Sequence, residues 1–270
     1  MINKEEIEKI IDDLKLQISN HKIHASNLEK FTKSKADQEF LSYVNGHGGG
    51  YIKFLSLLVK KFDFKNIVEL GNREGLSTLA IYDGMPSDSH FITIDIEKDQ
   101  RYCPDAMFND RRIKFIFGDV SNLSIFKNNI PMDIDFLFTD TIHHDFQLRD
   151  EWNIYQNLLA DKALVAIDDI NINDKRKLFD EIDYLKWDLT NICHDSGWGL
   201  FLFERKAPLT REEKILSAYQ ASASIWYRKY NEVNNILDKH NSKKLIFKIK
   251  KFVHKYPIIH QISLFLRFKK

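Results

Sequence analysis

The stretch Ile67-Val68-Glu69-Leu70-Gly71-Asn72-Arg73-Glu74-Gly75-Leu76-Ser77 decides the fold of this chain. It passes from a short apolar run through an acid into a glycine turn, then through a second glycine to a helix start. Gly71 lets the backbone approach a ligand closely, and Gly75 with Ser77 opens a helix whose first amides favour an anionic or carboxylate group. A strand, a glycine turn and a helix in that order open a β-α-β unit.

Outward from this unit the pattern repeats. Apolar runs at Asn66 to Leu70, Phe91 to Asp95, Ile113 to Phe117, Ile134 to Thr139 and Ala163 to Asp168 are continuous rather than alternating, as in strands buried on both faces. Segments long enough for crossover helices separate them, the clearest being Gln147 to Ala160, so the strands are expected to be parallel. A helix around Lys175 to Leu185 is expected next. Two strands, Trp187 to Cys193 and Gly199 to Glu204, then form a hairpin through His194-Asp195-Ser196-Gly197. The expected fold class is α/β: a Rossmann-like, seven-stranded, mostly parallel sheet with a C-terminal β-hairpin. Upstream, Ile7, Ile10, Ile11, Leu14 and Ile18 recur at helical spacing among charged residues. Asn45 to Gly50 reads as a loop, and Tyr51 to Phe62 as a helix.

Composition narrows the function classes. The 270 residues are 43% hydrophobic, enough to bury a full core and exclude a disordered chain. Lys+Arg 40 against Asp+Glu 39 leaves no global field that would favour nucleic acid. Cys103 and Cys193 have no metal-type spacing and suit a reducing cytoplasm. The charged start shows no signal peptide, and no run is long enough to span a membrane. From Lys243 to Lys270 the chain is basic, without acids and with interleaved apolar residues. That segment suits an anionic membrane surface at the inner face of the membrane, or packing on the core or across a homodimer.

In open α/β sheets ligands bind beyond the carboxyl ends of the strands. Asp95 closes the second strand, where a carboxylate can accept both hydrogen bonds from a ribose diol, with Ile96 beside it. Asp119 closes the third, where it can accept from an adenine amine. With Glu69, Gly71, Asn72, Gly75 and Ser77 these residues describe an adenosine pocket. A nicotinamide enzyme would prefer G-x-G-x-x-G, whereas Asn72 and Arg73 place side chains where a pyrophosphate needs space. Strand four ends Asp140-Thr141-Ile142-His143-His144-Asp145, and strand five ends Asp168-Asp169. Clustered carboxylates repel unless protonated or bridged, so Asp140, Asp168 and Asp169 are a candidate site for Mg²⁺ or a similar divalent cation. Alternatively Asp140 contacts cofactor or substrate while the pair caps its loop. His143 is the candidate base for a hydroxyl, with His144 the competing choice and Asp140 the second catalytic candidate.

The first-strand motif resembles the acid-x-Gly-x-x-x-Gly turn of class I S-adenosylmethionine-dependent methyltransferases. The resemblance implies S-adenosylmethionine as cofactor, with Glu69 near its methionine part, Asp95 on the ribose and Asp119 at the adenine. Over residues 40 to 205 the chain is similar to the group of catechol O-methyltransferase and the macrolide-sugar O-methyltransferases. There an Asp-Gly-x-His-x-Tyr-like stretch precedes a strand ending Asp-Asp. Asp140, His143, Asp168 and Asp169 match; Thr141 replaces the glycine and Asp145 the aromatic. The implied domains are a helical segment over 1–40, the methyltransferase over 41–206 and a helical basic extension over 207–270. The implied reaction is O-methylation of a small molecule, a sugar or capsule-type glycan precursor in polysaccharide biosynthesis. A phosphorylated or phosphoramidate metabolite, a non-catalytic cofactor-binding scaffold and a nicotinamide oxidoreductase are the alternatives. Amine methyltransferases of nucleic-acid bases carry an Asn/Asp-Pro-Pro-aromatic run, which is absent here.

Overall fold

The computed structural model describes residues 4–18, 49–98, 103, 105–126 and 130–239. The basic segment 243–270, on which the membrane and dimer expectations rest, lies outside the described residues, as does most of the glycine-rich break at Asn45 to Gly48.

In chain order the elements are α1 (Lys4–Ile18), α2 (Gly49–Phe62), β1 (Asn66–Leu70), α3 (Leu76–Gly84), β2 (His90–Asp95), α4 (Asp105–Phe108) and β3 (Ile113–Phe117). A 3-10 turn (Leu123–Phe126), β4 (Ile134–Thr139), α5 (Asp145–Tyr155), β5 (Leu159–Asp168) and α6 (Arg176–Glu181) follow. The order closes with β6 (Leu185–Asp188), α7 (Thr190–Cys193), β7 (Trp198–Glu204) and α8 (Arg211–Lys239). The strands form one seven-stranded sheet in the order β3-β2-β1-β4-β5-β7-β6. β1 to β5 pair in parallel, and β7 runs antiparallel to both β5 and β6. The α/β class and the strand number are as the sequence implies.

Two apolar layers hold the sheet. On one face α1, amphipathic through Ile7, Ile11 and Leu14, shares a cluster with Phe54 and Leu58 of α2 and with sheet residues Phe91, Phe136, Phe138 and Trp198. Phe54 meets Trp198 edge-on at 5.4 Å. On the other face Leu148 and Trp152 of α5 and Leu178 of α6 lie over Leu70, Leu137, Val165 and Phe201. Each such side chain buried is worth roughly 1.5–3 kcal/mol. One compact unit extends to Ser222, tied by Lys214 Nζ to Asp133 at 2.6 Å and by Ser222 Oγ to the Ser121 carbonyl at 2.7 Å. The rest of α8, from Ala223, belongs to a second unit.

The terminal hairpin corrects the sequence reading. β6 is Leu185–Asp188, so the Trp187 to Cys193 run is not one strand; the tight turn at His194 to Gly197 stands, with the Gly197 amide donating to the His194 carbonyl at 3.0 Å, but it follows α7 rather than a strand. Asp188 Oδ1 accepts from the amide of Thr190 at 3.0 Å and from its hydroxyl at 2.5 Å, which turns the chain into α7. Leu189 and Cys193 are buried at that helical turn, a four-residue spacing that suits a helix rather than a strand. Likewise α5 stops at Tyr155, β5 starts at Leu159 rather than Ala163, α6 is shorter than expected, and Gly49 and Gly50 already belong to α2.

Candidate active site

A cleft of about 990 Å³ opens at the carboxyl ends of the strands. Its walls include Gly71, Asn72, Arg73, Ser77, Asp95, Ile96 and Asp119 at one end, and Asp140, His143, Asp168, Asp169 and His194 at the other. The strand-end rule therefore places both candidate groups in one cavity.

At the first end the β1–α3 turn is over-determined. Asp95 Oδ2 accepts from the amides of Asn72 (2.8 Å) and Arg73 (2.7 Å), and Oδ1 from that of Glu97 (2.8 Å). A carboxylate has about four lone-pair sites, so capacity for a ribose diol remains. Asp119 Oδ1 accepts from the amide and hydroxyl of Ser121 at 2.8 and 2.6 Å. Gly71 has φ +83°, and a Cβ there would lie 2.2 Å from the Asp140 carbonyl oxygen. Its freedom thus serves the close approach of the β1 and β4 ends as well as the cleft wall. Gly75, φ +92°, is pressed against Cys103 Sγ and lies behind the cleft wall.

Glu69 sits beneath the floor. It is fully buried and does not line the cleft. Its Oε2 accepts from the hydroxyls of Thr78 and Thr93, both at 2.6 Å, and Thr93 also accepts from Asn72 Nδ2 at 2.9 Å. Burial pushes this carboxyl up to about 7, with the Ser77, Thr78 and Thr93 hydroxyls opposing and the Asp140 charge adding. Glu69 Oε1 and Asn72 Oδ1 are buried polar atoms with no hydrogen-bond partner among the described residues. Asn72 is thereby a link between the turn and the buried acid.

At the second end, His143 Nε2 lies 3.4 Å from Asp140 Oδ1 and 3.1 Å from Asp169 Oδ2. The hydrogen bond to Asp140 raises its pKa first, with the Asp169 and Asp140 charges adding, while partial burial and Lys175 oppose. Asp168 is buried and its Oδ1 is 2.7 Å from His194 Nε2. Burial, then the Asp140 charge, pushes the Asp168 carboxyl up, and His194 offsets this. His144 stands aside, 3.6 Å from Asp174 and stacked on Phe146.

The three carboxylates expected to share a cation fall into two donor groups that have Asp169 in common. Asp140, His143 and Asp169 bring ligand atoms within 4.8 Å of one another, and so do Asp168, Asp169 and His194. Oxygen donors with adjoining imidazoles fit a divalent cation chemically. Asp169 adopts φ +55°, uncommon for a residue with a side chain, in a loop whose Asn173 donates to the His143 carbonyl at 2.7 Å. The β5 loop thus holds the β4 loop.

Four site residues escaped the sequence reading. Lys175 is fully buried and donates to the Asp168 carbonyl at 2.6 Å. Glu151, buried on α5, accepts from Thr139 (2.7 Å), Thr141 (2.5 Å) and Gln147 (2.8 Å). Gln147 and Glu151 are four residues apart, the one signal that marks a shared helix face. His194 opens the tight turn to Gly197, where no local pattern points to the cleft. The two departures from the family stretch also have structural partners: Thr141 bonds Glu151, and Asp145 Oδ2 pairs with Arg149 Nε at 2.6 Å.

A sheet of this order, with its ligand cleft at the reversal between β1 and β4 and an acid-glycine turn beside it, defines a class I, Rossmann-like S-adenosylmethionine-dependent methyltransferase. The model of the O-methyltransferase family matches residues 17–180, more than half of the chain, and the chain belongs to that family. This sets aside the nicotinamide oxidoreductase alternative. A probable caffeoyl-CoA O-methyltransferase of Dictyostelium discoideum is 22% identical over 175 residues, covering 57% of this chain and 69% of that protein. Among solved structures, the SAH-bound methyltransferase of Podospora anserina has a TM-score of 0.49 at 14% identity, covering 76% of this chain and 98% of that one. An O-methyltransferase of Streptomyces achromogenes in complex with SAM has a TM-score of 0.48 at 15% identity, covering 70% and 98%.

Proposed function

We propose that this enzyme methylates a hydroxyl of a small molecule, a sugar or glycan precursor of the capsule type, with His143 as general base and a divalent cation such as Mg²⁺ among Asp140, Asp168 and Asp169. The observation that carries this is the position of His143 Nε2 between two carboxylates inside the cleft. S-adenosylmethionine would occupy the Gly71, Asp95 and Asp119 end, with Ser77 and Asn72 in the wall and Glu69 beneath. The acceptor O–H gives its proton to the neutral His143 imidazole, whose charged form the Asp140 and Asp169 carboxylates beside Nε2 favour. The oxygen attacks the methyl carbon in line, and the carbon–sulfur bond breaks with its electron pair going to sulfur. Much of the rate comes from holding oxygen and methyl carbon in near-attack geometry. Bound among the carboxylates, a cation would offset their charge and favour the acceptor's alkoxide form.

The test is methyl transfer by the full chain in excess chelator, with and without added Mg²⁺, alongside His143→Ala and His144→Ala. Transfer should vanish in chelator and return with the ion. His143→Ala should lose about 10²-fold in kcat while keeping its cofactor affinity. Full activity in chelator would remove the cation, and the larger loss in His144→Ala would remove His143 as base.

A further inference from the structure

The cleft contains a second imidazole that the proposed reaction leaves unused. His194 comes from the β6–β7 connection; its Nε2 is 2.7 Å from Asp168 Oδ1, and one of its ring nitrogens falls within 4.8 Å of a carboxylate oxygen of Asp169. Three features hold it there. The Tyr51 ring meets the imidazole edge-on at 5.0 Å and 76°. The Gly197 amide donates to the His194 carbonyl at 3.0 Å. A Cβ on Gly50 would lie 2.3 Å from the Cys193 carbonyl oxygen, so the first turn of α2 sits directly on the segment that carries His194. The ring is positioned by packing from α2 and by its own turn as well as by the carboxylate it touches.

We infer that His194 is a metal ligand together with Asp168 and Asp169, and that the site therefore takes an imidazole-accepting divalent ion such as Mn²⁺ or Co²⁺ in preference to Mg²⁺. The inference rests on the metal-assisted reading above. Mg²⁺ favours an all-oxygen octahedron and keeps much of its water, whereas Mn²⁺ and Co²⁺ lie in the series whose affinity for nitrogen donors rises along the first row. The two overlapping donor groups divide the histidines. His194 faces the buried Asp168, while His143 stays with Asp140 and keeps its nitrogen for the acceptor's proton. A bare ion pair between His194 and Asp168 would use the same nitrogen and leave any bound ion with oxygen ligands alone, so the two arrangements differ in what the ion's electrons sense.

The full chain is loaded with Mn²⁺ and its electron spin-echo modulation recorded for coupled nitrogen, with Mn²⁺ and Mg²⁺ affinities from calorimetry. The variants are His194→Gln and, as a remote exposed control, His90→Gln. Wild type and His90→Gln should show imidazole nitrogen coupling and tighter Mn²⁺ than Mg²⁺ binding. His194→Gln should lose the coupling and bind Mn²⁺ about 10-fold or more weakly, with little change for Mg²⁺. Labelling the histidines with ¹⁵N in His143→Gln gives the answer with residue 194 intact: the ¹⁵N coupling should remain. Nitrogen coupling that persists in His194→Gln, an all-oxygen Mn²⁺ spectrum in wild type, or Mg²⁺ bound as tightly as Mn²⁺ would overturn the inference alone. No binding of either ion by wild type would overturn it together with the metal-assisted reading.

Discussion

At the level of single residues, the Asp95 carboxylate holds three backbone amides, from Asn72, Arg73 and Glu97, and still has room for a diol. Asp95→Ala should weaken S-adenosylmethionine binding by about 1.5–3 kcal/mol, the range for hydrogen bonds to a charged group, as read by calorimetry. Unchanged affinity in the folded variant would move the ribose elsewhere. Glu69 makes a different kind of prediction. Its folded pKa of about 7 lies above the 4.5 of an unburied glutamate, so the fold prefers its protonated form. That preference stabilises fully below about pH 4.5 and is lost as pH rises through 7. Glu69→Gln keeps one acceptor for Thr78 and Thr93 but cannot ionise. Between pH 4.5 and 8 its unfolding free energy should therefore gain on wild type by about 3 kcal/mol. Parallel pH profiles from urea unfolding would show Glu69 to be ionised at little cost.

At the level of elements, the glycine turn after β1 was legible, but its stereochemical reason was not. The acid, Gly71, Gly75 and the helix start all appear in sequence order. That Gly71 faces the Asp140 carbonyl at the end of β4 is a contact between residues about seventy positions apart, and no local pattern carries it. Gly71→Ala combines a positive φ with a clash against backbone, which cannot swing aside, and should cost more than about 2 kcal/mol in denaturant unfolding. Gly118→Ala is the comparison: the atoms nearest its Cβ would be those of the Ile125 side chain, from 2.6 Å, and φ is not positive there. It should cost clearly less, and equal losses would mean that the approach of β1 and β4 is not what demands glycine. The β6–β7 connection shows the opposite case. The mixed run from Trp187 to Cys193 carries apolar residues at both spacings, and the Asp188 side chain, accepting from the Thr190 amide and hydroxyl, turns the chain out of the strand into α7. His194 opens the tight turn after α7, and a turn position carries no local sign that its side chain enters the cleft.

At the level of the whole molecule, a cleft proposed to take the cofactor at one end and the acceptor at the other should be stabilised by ligands in a chemically specific way. S-adenosylhomocysteine at 100 times its dissociation constant should add about 2.7 kcal/mol to unfolding and raise Tm, while NAD should add nothing. A rise with NAD alone would contradict the cofactor assignment. What the sequence determined by itself was the alternation of buried strands with crossover helices, and hence a parallel sheet whose strand ends collect Asp95, Asp119, Asp140, Asp168 and Asp169. Those residues are legible because a strand's end is marked locally, by an apolar run stopping at an acid. Only the tertiary structure decided how the acids are partnered. Lys175 and His194 reach the site from loops whose local patterns say nothing of their neighbours, and Glu151 from a helix whose pattern shows its Gln147 partner but not Thr139 or Thr141. A buried carboxylate takes whatever donor the packing brings within about 3 Å, and that depends on contacts between distant parts of the chain.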